Sequence, residues 1–353
     1  MSTGVVVLNF GEPSEPTREQ VVPYLKRIFL NNASLEEADT EEEARERARQ
    51  LAERRAPGLI EEYEAIGGSP LNPQAEAQAD ALAAELTDRG YDVETYVGMQ
   101  FTEPFIDDAV EAAREDGMER LVGLPVYPLC GASTTVAALE ELGEAVEDRG
   151  WDVPVAEITG WHRHPLYNEL RAENVRRFVD AHDLDLNDPE TELVYSAHGT
   201  PRHYLEAGNR YDRYVEEFCE VIGRKLGVES YSLGYQNHEN RDIPWTEPEV
   251  EDVIEDLGDD SIDRVVVEPI SFMHEQSETL SELDDELREE AAEVGLDLYR
   301  VPVPHDDDRF ATVLADLAEP FVGEFDPGYY QFRQCQCADS RDAVCLNAPV
   351  ERI

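Results

Sequence analysis

Lysine is nearly missing from this chain. Lys26 and Lys225 are the only two in 353 residues, and the 29 basic side chains face 80 aspartates and glutamates. The formal charge of −51 disfavours nucleic acid and anionic lipid as partners, because both repel such a surface. Long apolar runs are missing too. None approaches the roughly 18 residues that a membrane-spanning helix needs. The opening "MSTGVVVLNF" lacks the basic start and the apolar length of a secretory leader, so a soluble, cytoplasmic protein is expected. Cysteine is scarce, and its odd count of 5 argues against a disulfide framework in such a chain. Neither a His-Glu-x-x-His helix nor a Cys-x-x-Cys pair occurs, which leaves a permanently held catalytic metal unsupported. Nucleotide binding is a poor reading, since no Gly-x-Gly-x-x-Gly follows a strand.

What is present points to a folded, globular protein. A hydrophobic content of 41% over this length suits two domains, each with its own core. The acids are scattered through periodic segments rather than blocked at one end, as on a solvated surface. Such an acidic, lysine-poor surface resembles the cytosolic proteins of extreme halophiles. At about 1 M salt the screening length falls to about 3 Å, which removes most of the mutual repulsion. Short β-branched runs at 4–10, 92–99, 120–127, 153–159, 192–198 and 264–270 alternate with acidic helical segments. Apolar runs of this kind predict parallel sheets covered on both faces, a doubly wound α/β class. Ligands of such sheets sit at the carboxyl ends of the strands, where "LVYSAH" presents His198.

The chain also repeats itself. "NFGEP" (9–13) matches "AHGTP" (197–201), and "VGMQFTEP" (97–104) matches "LGYQ" (233–236) followed by "WTEP" (245–248). "LPVYPLCGASTTVAALEEL" (124–142) matches "EPISFMHEQSETLSELDDE" (268–286) without a gap. Two similar α/β domains follow, 1–158 and 159–315, with a tail, 316–353, packing back on the first. Where the halves agree, scaffold is expected. Where they differ, one half is adapted for chemistry: His198 stands against Phe10, Glu278 against Thr134, Glu282 against Ala138 and His274 against Cys130. Glu278, Glu282 and Glu286 recur every four residues, which puts three carboxylates on one helical stripe. In so acidic a protein a solvated face is the bland reading, and a buried, satisfied His198 is the other. An imidazole and carboxylates without a thiolate suit a weakly held divalent ion.

At these residues the sequence resembles the ferrochelatases, which insert Fe²⁺ into a porphyrin. The resemblance is carried in order by "LNFGEPSEPTREQVVPYLKRIFLNN" (8–32), "IGGSPLNPQAEAQADAL" (66–82), "YVGMQFTEPFIDDAV" (96–110), "SAHGTP" (196–201), "PW" (244–245) and "EPISFMHEQSETLSELD" (268–284). It implies two Rossmann-like domains with the porphyrin between them, and a lyase of haem biosynthesis. It makes His198 and Glu278 the catalytic pair, with Glu282 and Glu286 as further iron or proton carriers. Phe10, Phe29, Ser69, Phe101, Trp245 and Phe272 would hold the ring, and Lys26 and Arg27 the propionates. Protoporphyrin IX is the expected acceptor. Coproporphyrin III stays open, because Glu64-Ala65 stands where an arginine pair precedes "IGGSP" in the mitochondrial type. Gln276 also departs from the family, which has a histidine two residues before the glutamate. The tail trio Cys335, Cys337 and Cys345, completed by Cys130, resembles the ligand set of a [2Fe–2S] cluster, with zinc or free thiols as alternatives. Peripheral membrane contact and a monomeric or homodimeric state stay open. The rival readings are a chelatase for another metal or tetrapyrrole, and a non-catalytic tetrapyrrole carrier.

Overall fold

The valine-rich start forms β1 (Thr3–Asn9), all seven residues of which are buried. A run with no polar face can only be a strand covered on both sides, and β1 accordingly lies inside a sheet. The structure is a computed structural model that describes residues 2–31, 40–238, 243–258 and 261–323, and the backbone of 343–344. It divides into two units. Among the described residues, one holds those up to Val126, Ser133–Ile158 and 315–323; the other holds Tyr127–Ala132 and Thr159–Leu314.

In the first unit, β2 (Val93–Met99), β3 (Arg120–Pro125) and β4 (Val155–Ile158) join β1 in the order β2-β1-β3-β4. All pair in parallel. Helices α1 (Arg18–Asn31), α2 (Glu41–Ile66) and α3 (Leu71–Asp88) follow β1, while α4 (Ile106–Glu115) and α5 (Ala137–Asp148) follow β2 and β3. Val6 and Leu8 pack with Ile106, Val110, Leu139 and Leu142 in one core, and α1 and α2 enclose another around Tyr24, Phe29 and Leu51.

The second unit repeats the plan. Its parallel sheet runs β6-β5-β7-β8, with β5 (Thr191–His198), β6 (Ser232–Gln236), β7 (Arg264–Pro269) and β8 (Asp297–Arg300). The helices are α6 (Pro165–Ala181), α7 (Arg202–Glu206), α8 (Tyr211–Leu226), α9 (Val250–Gly258), α10 (Leu287–Glu293) and the start of α11 (Arg309–Val322), as far as Leu314. The six strands read from the sequence are present, and β6 and β8 add to them.

The repeat extends to backbone detail. Both Glu-Pro bonds of the matched motifs, Glu103-Pro104 and Glu247-Pro248, are cis. Met99 N–H donates to Pro104 O at 2.8 Å, and Tyr235 N–H to Pro248 O at 2.9 Å. Helix α11 begins at Arg309, and its part from Ala315 belongs to the first unit, where Arg89 pairs with Asp316 and Glu319, both at 2.7 Å. One expectation needs correction. The helix bearing the glutamate stripe is a π-helix, Glu278–Glu286, and the first unit has a π-turn at the corresponding Ala132–Val136.

Candidate active site

Because β5 lies between β6 and β7, the loops leaving all three strands converge on the end of β5, where His198 sits. His198 is opposite Gln236 in register, and Ser196 is opposite Pro269. The backbone fixes the histidine from two sides: its N–H donates to Ser271 Oγ at 2.9 Å, and its carbonyl accepts from Tyr211 Oη at 3.0 Å. Its ring Nδ1 lies 2.6 Å from Gly199 O. A carbonyl only accepts, so Nδ1 carries the hydrogen and Nε2 keeps its lone pair. A side chain on Gly199 would run into Asn237 Oδ1, so glycine is what lets the chain leaving β6 come this close.

That lone pair meets two other groups. Glu278 Oε1 is 3.9 Å from His198 Nε2, and His238 Nε2 is 3.2 Å away. Among the described residues, these three form the group whose ligand atoms all lie within 4.8 Å of one another. Sequence reading missed His238. It falls in 237–244, which has no counterpart in the first half. The available signal was a histidine two residues past a strand end on the same rim.

The carboxylate is held as firmly. Gln276 Nε2 donates to Glu278 Oε2, and Gln236 Nε2 donates to Glu278 O at 3.0 Å. Gln236 also donates to Glu282 Oε2 at 2.9 Å, while its own Oε1 accepts from buried Ser196 Oγ at 2.8 Å. Beneath the π-helix, Arg300 joins Glu275 at 2.6 Å to Asp284 at 3.1 Å, tying its approach to its middle. Arg171 and Glu268 form a fully buried pair, and Arg171 also donates to Pro269 O and Phe272 O, both at 2.8 Å. The loop from β7 to Glu278 is therefore anchored at its root.

Burial lowers the pKa of His198 below the ordinary 6.5, against a smaller raising effect from the Gly199 carbonyl. Burial, then the charge of Glu278, raises the Tyr127 phenol well above its usual value. Glu278 has 13% of its side chain exposed, Glu282 is half-buried and Glu286 is exposed. The stripe runs from the cluster to solvent.

Trp245 is half-buried, its ring centroid 5.6 Å from that of His238. It pairs with Pro201, and Thr246 N–H donates to Thr200 O at 3.0 Å. Phe272 is buried in the same unit. The first unit holds the other ring-binding candidates. Phe10 and Phe101 have centroids 4.5 Å apart, and Tyr24 packs edge-on to both. Phe29 lies in the α1–α2 core, where its ring packs helix on helix. Ser69 Oγ donates to the buried Glu12, which also accepts from Tyr63 Oη at 2.9 Å. Lys26 is half-buried. Arg27 lies 3.9 Å above the Phe105 ring and donates to Gln100 O at 3.3 Å. Cys130 is a fully buried thiol, whereas Cys335, Cys337 and Cys345 lie outside the described residues.

Two doubly wound sheets, with two imidazoles and a carboxylate gathered on the rim of the second, agree with the metal chelatase class. Among solved structures the chain is similar to SirB from Bacillus subtilis with Fe³⁺, at a TM-score of 0.57 and 13% identity over 92% of this chain and 99% of that one. That likeness concerns the fold. A family model described as Ferrochelatase matches residues 2–320. Ferrochelatase of Synechococcus sp. (strain RCC307) is 35% identical over 90% of this chain and 81% of its own. That of Synechococcus sp. (strain JA-3-3Ab) is 35% identical over 91% and 94%. The chain belongs to the ferrochelatase family, and its reaction is the insertion of iron into a porphyrin in haem biosynthesis. No helix of the described residues is long and apolar enough to cross a membrane.

Proposed function

We propose that this ferrochelatase metallates protoporphyrin IX, with His198 and Glu278 receiving the two pyrrole protons. The observation that carries the reading is the 3.9 Å approach of Glu278 Oε1 to His198 Nε2, an imidazole kept in the proton-accepting tautomer. As two Fe–N bonds form, the two N–H protons leave, one to Nε2 and one to the carboxylate. Burial favours neutral His198, the form able to accept. A flat ring must pucker to turn its nitrogens toward the ion, and strain of about 1–5 kcal/mol is a plausible share of the barrier. Glu282 and Glu286 extend the carboxylate path outward for iron or protons. Phe10, Phe101, Trp245 and Phe272 would grip the macrocycle, Ser69 would border it, and Lys26 and Arg27 would meet the propionates. Phe29, buried in the α1–α2 core, would back that grip from α1. Coproporphyrin III is the second reading, favoured by Glu64 and Ala65, which offer a propionate no cation.

The test is iron or zinc insertion into both porphyrins at molar salt. His198→Ala and Glu278→Gln are each expected to lose insertion almost completely while still binding porphyrin. Substantial turnover by His198→Ala sinks the assignment.

The cofactor belonging to this reading is a [2Fe–2S] cluster on Cys130, Cys335, Cys337 and Cys345. Cys130 supports it as a buried thiol shielded from water. When bound, the cluster would supply iron–sulfur redox chemistry, and no step of insertion passes through it. Anaerobically purified protein that is colourless and free of labile sulfide rules the cluster out. Cytoplasmic residence and function as a monomer or homodimer complete the proposal.

A further inference from the structure

We propose that His238 is a third ligand for the incoming divalent ion, completing a His198–His238–Glu278 set that holds the metal before the porphyrin takes it. The inference rests on the site read above and adds a residue which that reading does not use.

The spacing of the two imidazole nitrogens is that of adjacent ligands, and the carboxylate oxygen needs to close by about 1 Å to join them. Two nitrogens bonded at about 2.1 Å to one ion, at right angles to each other, lie about 3 Å apart. His198 Nε2 and His238 Nε2 are 3.2 Å apart, and the Glu278 oxygen is 3.9 Å from the first. Two imidazoles and one carboxylate on one side of an ion are a donor set suited to Fe²⁺, and they leave its other side open. A transferable ion needs that open side, because the ring nitrogens must bind before the protein lets go.

The three ligands come from three elements: the end of β5, the exit of β6 and the start of the π-helix. Each is held by the protein. Asn237, next to His238, donates to Thr246 O at 2.9 Å, and the Trp245 ring stands edge-on to His238. Gln276 occupies Glu278 Oε2, while Oε1 lies toward His198. Glu282, one turn on, has an oxygen taken by Gln236 and lies outside the set.

Without an ion, the two facing nitrogens need one hydrogen between them. His198 carries its hydrogen on Nδ1, so His238 Nε2–H donates to His198 Nε2. When the ion enters, that hydrogen moves to His238 Nδ1 through solvent. Both Nε2 lone pairs then face the metal, with no net proton released. Departure of the ion into the ring frees His198 to accept its pyrrole proton.

The probe is Co²⁺ alone, titrated into the full chain at molar salt and followed by its visible absorption and by calorimetry. His238→Ala should weaken Co²⁺ binding at least about tenfold and change the spectrum. In turnover it should raise the KM for metal and leave the KM for porphyrin unchanged. His238→Gln, which preserves bulk, should show the same loss and covers the case in which the alanine variant folds poorly. Wild-type Co²⁺ affinity and spectrum in a folded His238 variant overturn the inference. If His198→Ala is inactive while the His238 variants match wild type, only the third ligand is lost. If His198→Ala is active, the underlying catalytic assignment fails instead.

Discussion

His198 must be neutral, with Nε2 bare, when a pyrrole N–H arrives. Burial lowers its pKa, because a charged imidazole gives up hydration that the site does not replace, and the hydrogen bond to Gly199 O only partly offsets this. The folded pKa is thus below the unfolded 6.5, and the neutral form persists to more acid pH than in a free histidine. The stability this group contributes is full above the unfolded 6.5 and is lost as pH falls from there through the lower folded value. For catalysis, the acid limb of the kcat/KM–pH profile should lie below 6.5 at molar salt. A limb at or above 6.5 contradicts the burial argument. As candidates, His198 and Glu278 were legible because the chain carries its own control, Phe10 and Thr134 at the matched positions. His238 was not. Its segment has no counterpart in the first half, and only the fold reveals that the exits of β5 and β6 meet.

At the scale of elements, the six strands with apolar runs could be read directly from the sequence. β6 (Ser232–Gln236, SLGYQ) and β8 (Asp297–Arg300, DLYR) are too short and polar to give a run. The π-helix was hidden for a different reason. "ETLSELDDE" has a pattern that an α-helix also accepts, and i→i+5 pairing is decided by the surroundings, here Gln276, Arg300 and the loop from β7. Both halves place a π-turn at corresponding residues, which marks it as a property of this βα connection rather than of the glutamates. The same repeat makes a quantitative comparison. Gly98 and Gly234 lie where a strand passes under the first turn of the next helix. An added Cβ would stand 3.1 Å from Ile106 Cα at the first and 2.5 Å from Val250 Cα at the second. Backbone on the far side cannot rotate away. Gly234→Ala should therefore cost about 1–3 kcal/mol, more than Gly98→Ala, by guanidinium unfolding at fixed salt. Equal costs, or the reverse order, contradict the packing read here.

For the whole molecule, the dominant quantity is the charge of −51. Arginines form ion pairs across the surface, such as Arg49–Glu46 at 2.7 Å and Arg149–Asp107 at 2.6 Å. Exposed pairs contribute about 0–1 kcal/mol each, and with 29 basic groups for 80 acids most carboxylates have no cation of their own. Salt screens attraction and repulsion alike, so the sign of its effect follows the larger sum, which here is repulsion. The screening length shrinks from about 10 Å at 0.1 M to about 3 Å at 1 M. Stability should therefore climb steeply with KCl through the first molar and more slowly beyond it, and insertion activity should follow. One further term can be separated by the choice of salt. Exclusion of the anion from apolar surface also stabilises proteins, but it is strong for sulfate and weak for chloride. If screening governs, KCl and K₂SO₄ compared at equal ionic strength below 1 M should give nearly the same rise in the unfolding midpoint, with sulfate pulling ahead only at higher concentration. A midpoint that is flat or falling in KCl over this range would mean that the paired arginines, few as they are, outweigh the unpaired acids.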